Sequence, residues 1–200
     1  MKNKIYNIIL AILGIALLVT IILIAIKYGG NQIKEQKLQA VVDEVKTQID
    51  EIKQISTSNE GLKQVQVEYN GYSVVGIINI PKLKLEYPII DKTNEQAMKV
   101  SITKFWGNNV NDIGNFTMAG HNYIDGTMFG GTKKLNIGDK IEMTDLTGKT
   151  VEYEIFDKYV IDPNDVKCVN SVKDGTREIT LITCTNGRSN RLIIKAREIK

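Results

Sequence analysis

Glu178-Ile179-Thr180-Leu181-Ile182-Thr183-Cys184 is followed by a polar return over residues 185–190 and then by Arg191-Leu192-Ile193-Ile194-Lys195-Ala196. β-Branched and aliphatic residues flank a break that contains Asn186-Gly187, the pattern of two antiparallel strands joined as a hairpin. The hairpin sets one thiol at a strand end and returns an arginine beside it. Side chains alternate across a strand, so the register decides which arginine that is. A tight turn at Asn186-Gly187 pairs Thr185 with Arg188, Cys184 with Ser189 and Ile182 with Arg191. A looser loop sets Cys184 directly opposite Arg191. Both registers put Arg191 on the face of Cys184, whereas the tight one puts Arg188 on the other face.

The chain has 200 residues, enough for one domain and accessory segments. Residues 8–26 carry no charge and are nearly all Ile, Leu, Ala or Val. At about 1.5 Å rise per residue, a run of roughly 19 residues just spans a bilayer core of about 30 Å. A cleaved signal peptide needs a shorter apolar region and a small-x-small site. The run instead ends Ala25-Ile26-Lys27-Tyr28-Gly29-Gly30, so an uncleaved transmembrane anchor is expected. Lys2, Lys4 and the amino terminus precede the run, and Lys27 alone follows it closely. That excess predicts a cytoplasmic amino terminus and a catalytic or binding body outside the cell membrane. The net charge is +3, two units of which come from Lys2 and Lys4. The nearly neutral remainder argues against nucleic acid as a partner.

Residues 31–56 are rich in Lys, Glu, Gln and Asp, with apolar side chains at Leu38, Val42, Val45, Ile49, Ile52 and Ile55. Steps of four and three mark an amphipathic helix. It reads first as a stalk that spaces the domain from the membrane, with docking onto the domain as the alternative. Residues 56–71 read as a linker. From Tyr72 onward the texture is short β segments: 74–80 ending at Pro81, 83–90 with Pro88 inside, 115–120, 140–144 and 151–161. Pro88 predicts an edge or irregular strand. A helical turn is expected within 94–105, and Trp106 reads as a core plug at the start of a loop. Seven or eight short strands with little helix imply a closed or nearly closed barrel, or a sandwich. The organisation expected is 1–27 tip and anchor, 28–71 helical stalk and linker, and 72–200 β domain.

His121 is the one histidine and Cys168 and Cys184 are the two cysteines. His121 stands at a strand-to-loop junction behind Ala119-Gly120, small residues that let another backbone approach closely. One imidazole, one thiol at a strand end and one returning arginine form a minimal set for acyl transfer. The thiolate attacks a carbonyl, the imidazole manages protons on the departing and arriving amines, and the guanidinium stabilises the oxyanion. An ordinary thiol is only a few per cent thiolate at neutral pH, so a neighbouring cation helps. The competing reading is a membrane-tethered binding module stapled by a Cys168–Cys184 disulfide, which an oxidising exterior permits. No metal or cofactor is expected, because one His and two distant Cys cannot complete a zinc site without carboxylates from elsewhere. The acidic residues lack EF-hand spacing, although dispersed carboxylates could still hold a modulating calcium, and neither a phosphate loop nor a serine elbow occurs.

Thr180-Leu181-Ile182-Thr183-Cys184 resembles the sortase Thr-Leu-x-Thr-Cys signature. Ala119-Gly120-His121-Asn122 is similar to the sortase histidine segment, and Arg191 opens a strand where sortases carry their third catalytic residue. The resemblance runs from about Tyr72 to the C-terminus, with His, Cys and Arg in the family's order. It implies an eight-stranded sortase-type β-barrel with short helices. It also implies a cysteine transpeptidase that cuts a Leu-Pro-x-Thr-Gly-like sorting signal between Thr and Gly. The acyl group then passes to an amine of cell-wall precursor or of another surface protein. Carried over by position, Cys184 is the nucleophile, His121 the proton donor and acceptor, and Arg191 the oxyanion and positioning residue. Ala119, Leu181 and Thr183 fall where the family lines its peptide groove. No Asp-Pro-aromatic lid motif and no second C-terminal apolar helix are present, and the segment between 161 and 178 is too short for the long helix of class B enzymes. The wording 121–129 has some class B character, but the balance resembles class D or class A.

Overall fold

In the computed structural model, residues 2–57, 67–170, 175–185, 187 and 189–199 are described, with the side chains of the N-terminal helix described in part. That helix, α1, covers Lys2–Thr57. The chain divides into two compact units, Met1–Ala40 and Val41–Lys200. In the first, the helix carries Leu10, Ile12, Leu13, Ile15, Leu17 and Leu18 exposed. Among the described residues no helix is long and apolar enough to cross a membrane; six positions of the expected anchor, namely 8, 9, 11 and 24–26, have side chains outside the described set.

The second unit is a β-barrel. Its strands are β1 (Glu68–Tyr69), β2 (Tyr72–Ile80), β3 (Leu85–Ile90), β4 (Ile102–Trp106), β5 (Gly114–Ala119), β6 (Lys140–Asp145), β7 (Thr150–Ile161), β8 (Arg177–Thr185) and β9 (Asn190–Glu198). The order is β1-β2-β3-β4-β5-β8-β9-β7-β6, and β2 also pairs with β6. That extra pairing, from Gly76↔Asp145 to Asn79↔Glu142, closes eight strands into a barrel and leaves β1 as an appendage. Closure removes the exposed edges that an open sheet would present. Ile77, Ile78, Ile80, Ile89, Ile102, Met118 and Tyr153 fill the interior.

The stalk reading needs correction for its second half. Val42, Val45 and Ile49 are buried within the second unit, and Lys46 pairs with Glu86 of β3 at 2.7 Å. The apolar stripe therefore docks on the domain, because burying three branched side chains outweighs leaving them in water. Leu38, Ile52 and Ile55 of the same stripe lie outside the described side chains, as does the linker 58–66.

Pro88 lies in a strand that has neighbours on both sides. The β3–β4 ladder is parallel and involves only Ile89↔Ile102 and Ile90↔Thr103, so it starts just past the missing N–H of Pro88. The expected helical turn is α2 (Glu95–Val100), capped by the Asn94 side chain, which accepts from Ala97 N at 2.8 Å. Trp106 is no core plug. It ends β4 with 59% of its surface exposed, just past an irregularity in the register between Lys104 and Trp106.

At the far end of the β8–β9 hairpin, buried Glu178 accepts from Arg197 and pairs with Lys195 at 3.5 Å. Removing either cation would leave a carboxylate short of partners in a dry site. Thr117, fully buried on β5, has a hydroxyl with no hydrogen-bond partner among the described residues. Replacing it with valine removes a desolvated polar atom at nearly constant shape. Thr117→Val is therefore expected to raise unfolding free energy by about 1 kcal/mol in urea titrations. A loss of stability would mean that the hydroxyl has a partner in solution.

Candidate active site

Two parallel strands bring the histidine and the thiol to one end of the barrel. β5 and β8 pair from Gly114↔Arg177 to Ala119↔Ile182. Parallel neighbours end at the same edge, so His121, two residues past β5, and Cys184, near the end of β8, emerge side by side. β9 returns antiparallel and supplies the third group. The ladder gives Cys184↔Arg191 and continues one pair further to Thr185↔Asn190. The looser register is thus the one adopted, with Arg191 on the face of Cys184; Arg188 lies outside the described residues.

His121, Cys184 and Arg191 all line one cavity of about 320 Å³, together with Ala119, Gly120 and Thr183. Its wall is largely apolar, built from Met98, Phe105, Ile161, Pro163, Val166 and Val169. A second, more open cavity of about 600 Å³ lies against His121 to Asp125 and against Cys184, Thr185 and Gly187. The imidazole and the thiol border both cavities. A group bound on the apolar side could therefore be attacked by sulfur while a different group enters or leaves on the other.

The local fold explains the placement. Gly120 is buried, and a Cβ there would stand 2.8 Å from the ring of Phe129. The small residue before His121 thus admits an aromatic side chain, where the sequence suggested a backbone. Phe129 N donates to His121 O at 3.0 Å, which folds residues 121–129 back on themselves. Gly130 closes that loop, since a Cβ there would meet Tyr123 O at 2.0 Å. Tyr87 reaches the loop from β3, its hydroxyl accepting from Met128 N at 3.1 Å. The rings of His121 and Tyr123 lie with centroids 5.1 Å apart.

Thr183 is buried, and its hydroxyl donates to Gly120 O at 2.7 Å, so it ties β8 to the histidine segment as well as lining the cavity. Leu181 is a different case. It is buried in the barrel and is not among the residues that line the cavity. Arg191 is half-buried, and its Nη1 donates to Asn190 O at 3.2 Å.

Two polar residues that the sequence did not single out also shape the site. Asn115 on β5 accepts from Thr180 Oγ1 at 2.8 Å and donates to Cys168 O at 3.0 Å, fastening the 163–169 wall to the barrel. Asn122 donates from Nδ2 to Cys184 O at 2.7 Å. Only the second had a visible signal, its place beside the histidine.

Both cysteines are free thiols. The disulfide of the binding-module reading is therefore not formed, although Cys168 lines the same cavity as Cys184. Cys168 is 3% exposed, and burial pushes its thiol up from the ordinary range. A thiol raised in this way stays protonated and weakly nucleophilic at neutral pH. It favours the folded state below the ordinary thiol range, an advantage lost as pH rises through the raised value. Iodoacetamide at neutral pH is expected to alkylate half-exposed Cys184 and to reach Cys168 only in denaturant. Equal labelling of the two in the native protein, by peptide mass mapping, would contradict this placement.

Among the described residues no group of three or more His, Cys, Asp or Glu is arranged to hold a metal ion.

The closed β-barrel of the second unit is similar to known proteins in both sequence and fold. The sortase domain model matches residues 78–199, more than half of the chain. This chain belongs to the sortase family. It is 34% identical over 117 residues to Sortase A of Listeria monocytogenes, an alignment that covers 58% of this chain and 51% of that protein. A Clostridium perfringens Sortase D5 transpeptidase superposes with a TM-score of 0.64 at 28% identity, covering 82% of this chain and 98% of that one. The Listeria monocytogenes sortase A structure gives 0.58 at 30% identity, with 64% and 88% covered. The chain spans about half the length of the curated relatives it matches.

Proposed function

We propose that this protein is a membrane-anchored cysteine transpeptidase that acts on sorting-signal peptides. The observation that carries the reading is the convergence of Cys184, His121 and Arg191 on one cavity whose remaining wall is largely apolar, with Asp165 and Thr93 as polar exceptions. The thiolate of Cys184 adds to the carbonyl carbon between Thr and Gly of a Leu-Pro-x-Thr-Gly-like signal. Arg191, opposite the nucleophile, balances the developing oxyanion. Collapse of the tetrahedral intermediate forms a thioester and expels the glycine amine, which takes a proton from His121. An amine of cell-wall precursor, or of another surface protein, then gives its proton to the imidazole and attacks the thioester. The new amide leaves and the Cys184 thiolate is restored beside the protonated imidazole.

The Leu-Pro part of the signal suits the wall of Ile161, Pro163, Val166 and Val169, with Ala119 and Thr183 near the scissile bond. Leu181 is buried in the barrel and does not line this cavity. A class D-like or class A-like enzyme is consistent with the two relatives named above. Residues 8–26 serve as a single-pass anchor with the amino terminus in the cytoplasm, supported by the uncharged run and by the exposed leucines and isoleucines of α1. Resistance of the full chain to alkaline carbonate extraction from membranes tests that part, and release into the soluble fraction would remove it.

Incubation of the full chain with a panel of sorting-signal peptides, followed by mass analysis, tests the chemistry. A thioacyl adduct on Cys184 is expected, converted to a ligated product when an amine acceptor is added. Adducts absent for every peptide would overturn the reading. An adduct that only hydrolyses would restrict the enzyme to peptidase activity.

A further inference from the structure

The β5–β8 ladder ends at Ala119↔Ile182, two residues short of both the imidazole and the thiol. Past that point the backbone contributes Gly120 N to Ile182 O at 3.2 Å. Two side chains then carry the connection on. Thr183 reaches from β8 to Gly120 O, on one side of His121. Asn122 reaches from the other side of His121 back to Cys184 O. The histidine is thus bracketed by two clips, of which the second ends on the backbone of the cysteine itself.

Asn122 is held for this task. Its backbone forms an isolated antiparallel bridge with Met128, whose own N–H is taken by the Tyr87 hydroxyl. The backbone of residue 122 is thus ordered independently of the amide bond, which leaves only side-chain freedom to be lost when that bond forms. We infer that Asn122 is a positioning residue, which fixes the separation of the His121 imidazole and the Cys184 thiol by hydrogen-bonding the cysteine carbonyl. A small misplacement of two reacting groups costs a large factor in rate, whereas an exposed hydrogen bond adds little to global stability. The bond should therefore matter for turnover far more than for folding.

This inference rests on the transpeptidase reading, and the test keeps the two apart. Asn122→Asp preserves the shape but, when ionised, offers only acceptors to a carbonyl. With full-length protein and a sorting-signal peptide, its kcat for thioester formation is expected to fall at least tenfold near neutral pH, with KM within twofold of wild type. Its rate relative to wild type should recover as pH falls toward the carboxyl range near 4, where a protonated carboxyl can donate. Asn122→Ala should lose three- to tenfold with no such recovery, and the melting temperature of both variants should stay within about 3 °C of wild type. If N122D is too unstable to assay, N122A carries the test through its split between kcat and KM. Rates within twofold of wild type, a loss confined to KM, or a loss without pH recovery in a well-folded N122D would overturn the role. Should wild type acylate no peptide, the activity fails and the inference is read from iodoacetamide. There N122A is expected to lower the Cys184 alkylation rate at least threefold, and an unchanged rate would sink it.

Discussion

Cys184→Ala is expected to abolish cleavage of every sorting-signal peptide, with a fall of at least ~10⁴-fold, to the assay floor. The size follows from covalent catalysis. With no sulfur there is no thioester, and neither His121 nor Arg191 can replace the attacking atom. Peptide binding should survive, because the apolar wall from Met98 to Val169 is built by other residues. Fluorescence anisotropy of a labelled peptide on the variant, beside a discontinuous cleavage assay, separates the two effects. The matching control is Cys168→Ala, which should keep most of the activity. Its thiol is buried and raised by burial, so it is a poor nucleophile although it faces the same cavity. If activity disappeared on changing Cys168 and persisted without Cys184, the nucleophile would have been misassigned.

The second large effect is expected at Arg191. The register places it directly across the ladder from Cys184, so its guanidinium can meet charge that develops when the thiolate adds to a carbonyl. Loss of one preorganised oxyanion donor typically costs 10²–10³ in kcat, about 2.7–4 kcal/mol of transition-state stabilisation. Arg191→Ala should fall in that range. Arg191→Lys should recover only part of it, because a point-charge ammonium lacks the planar fork of donors. The loss should appear in kcat rather than in KM, since the charge exists only beyond the ground state. Arg188→Ala serves as the comparison and is expected to stay within threefold of wild type. An Arg188 effect larger than that of Arg191 would mean that Arg188, not Arg191, supplies the charge beside Cys184.

Much of this site was legible in the chain. The alternation of 178–184 and 191–196 specified a hairpin. Side-chain parity alone put Arg191 and Cys184 on one face in either register, before the ladder selected one. The small pair before His121 signalled a close approach, and the approaching group proved to be the Phe129 ring. Trp106 and Leu181 show where such reading ends. A tryptophan is usually buried, yet this one lies exposed just past an irregular register, and Leu181, placed at a groove by resemblance, is buried and does not line the cavity. Composition cannot report a bulge or the direction in which a strand end tilts.

The stalk makes the same point from the other side. Steps of three and four correctly announced a one-sided helix, but periodicity does not name the surface that covers the stripe. Val42, Val45 and Ile49 found theirs within the unit that forms the barrel.

The amino-acid order by itself determined the local matters: which segments extend, where they turn, and which of His121, Cys184 and Arg191 stand at strand ends. These depend on propensity and on a period of two, which are properties of neighbouring residues. Only the tertiary structure decided that β2 closes on β6, that β5 lies parallel to β8, and that Asn122 reaches the carbonyl of Cys184. Those contacts join residues far apart along the chain, and their register is fixed by the packing of the whole barrel rather than by any one stretch.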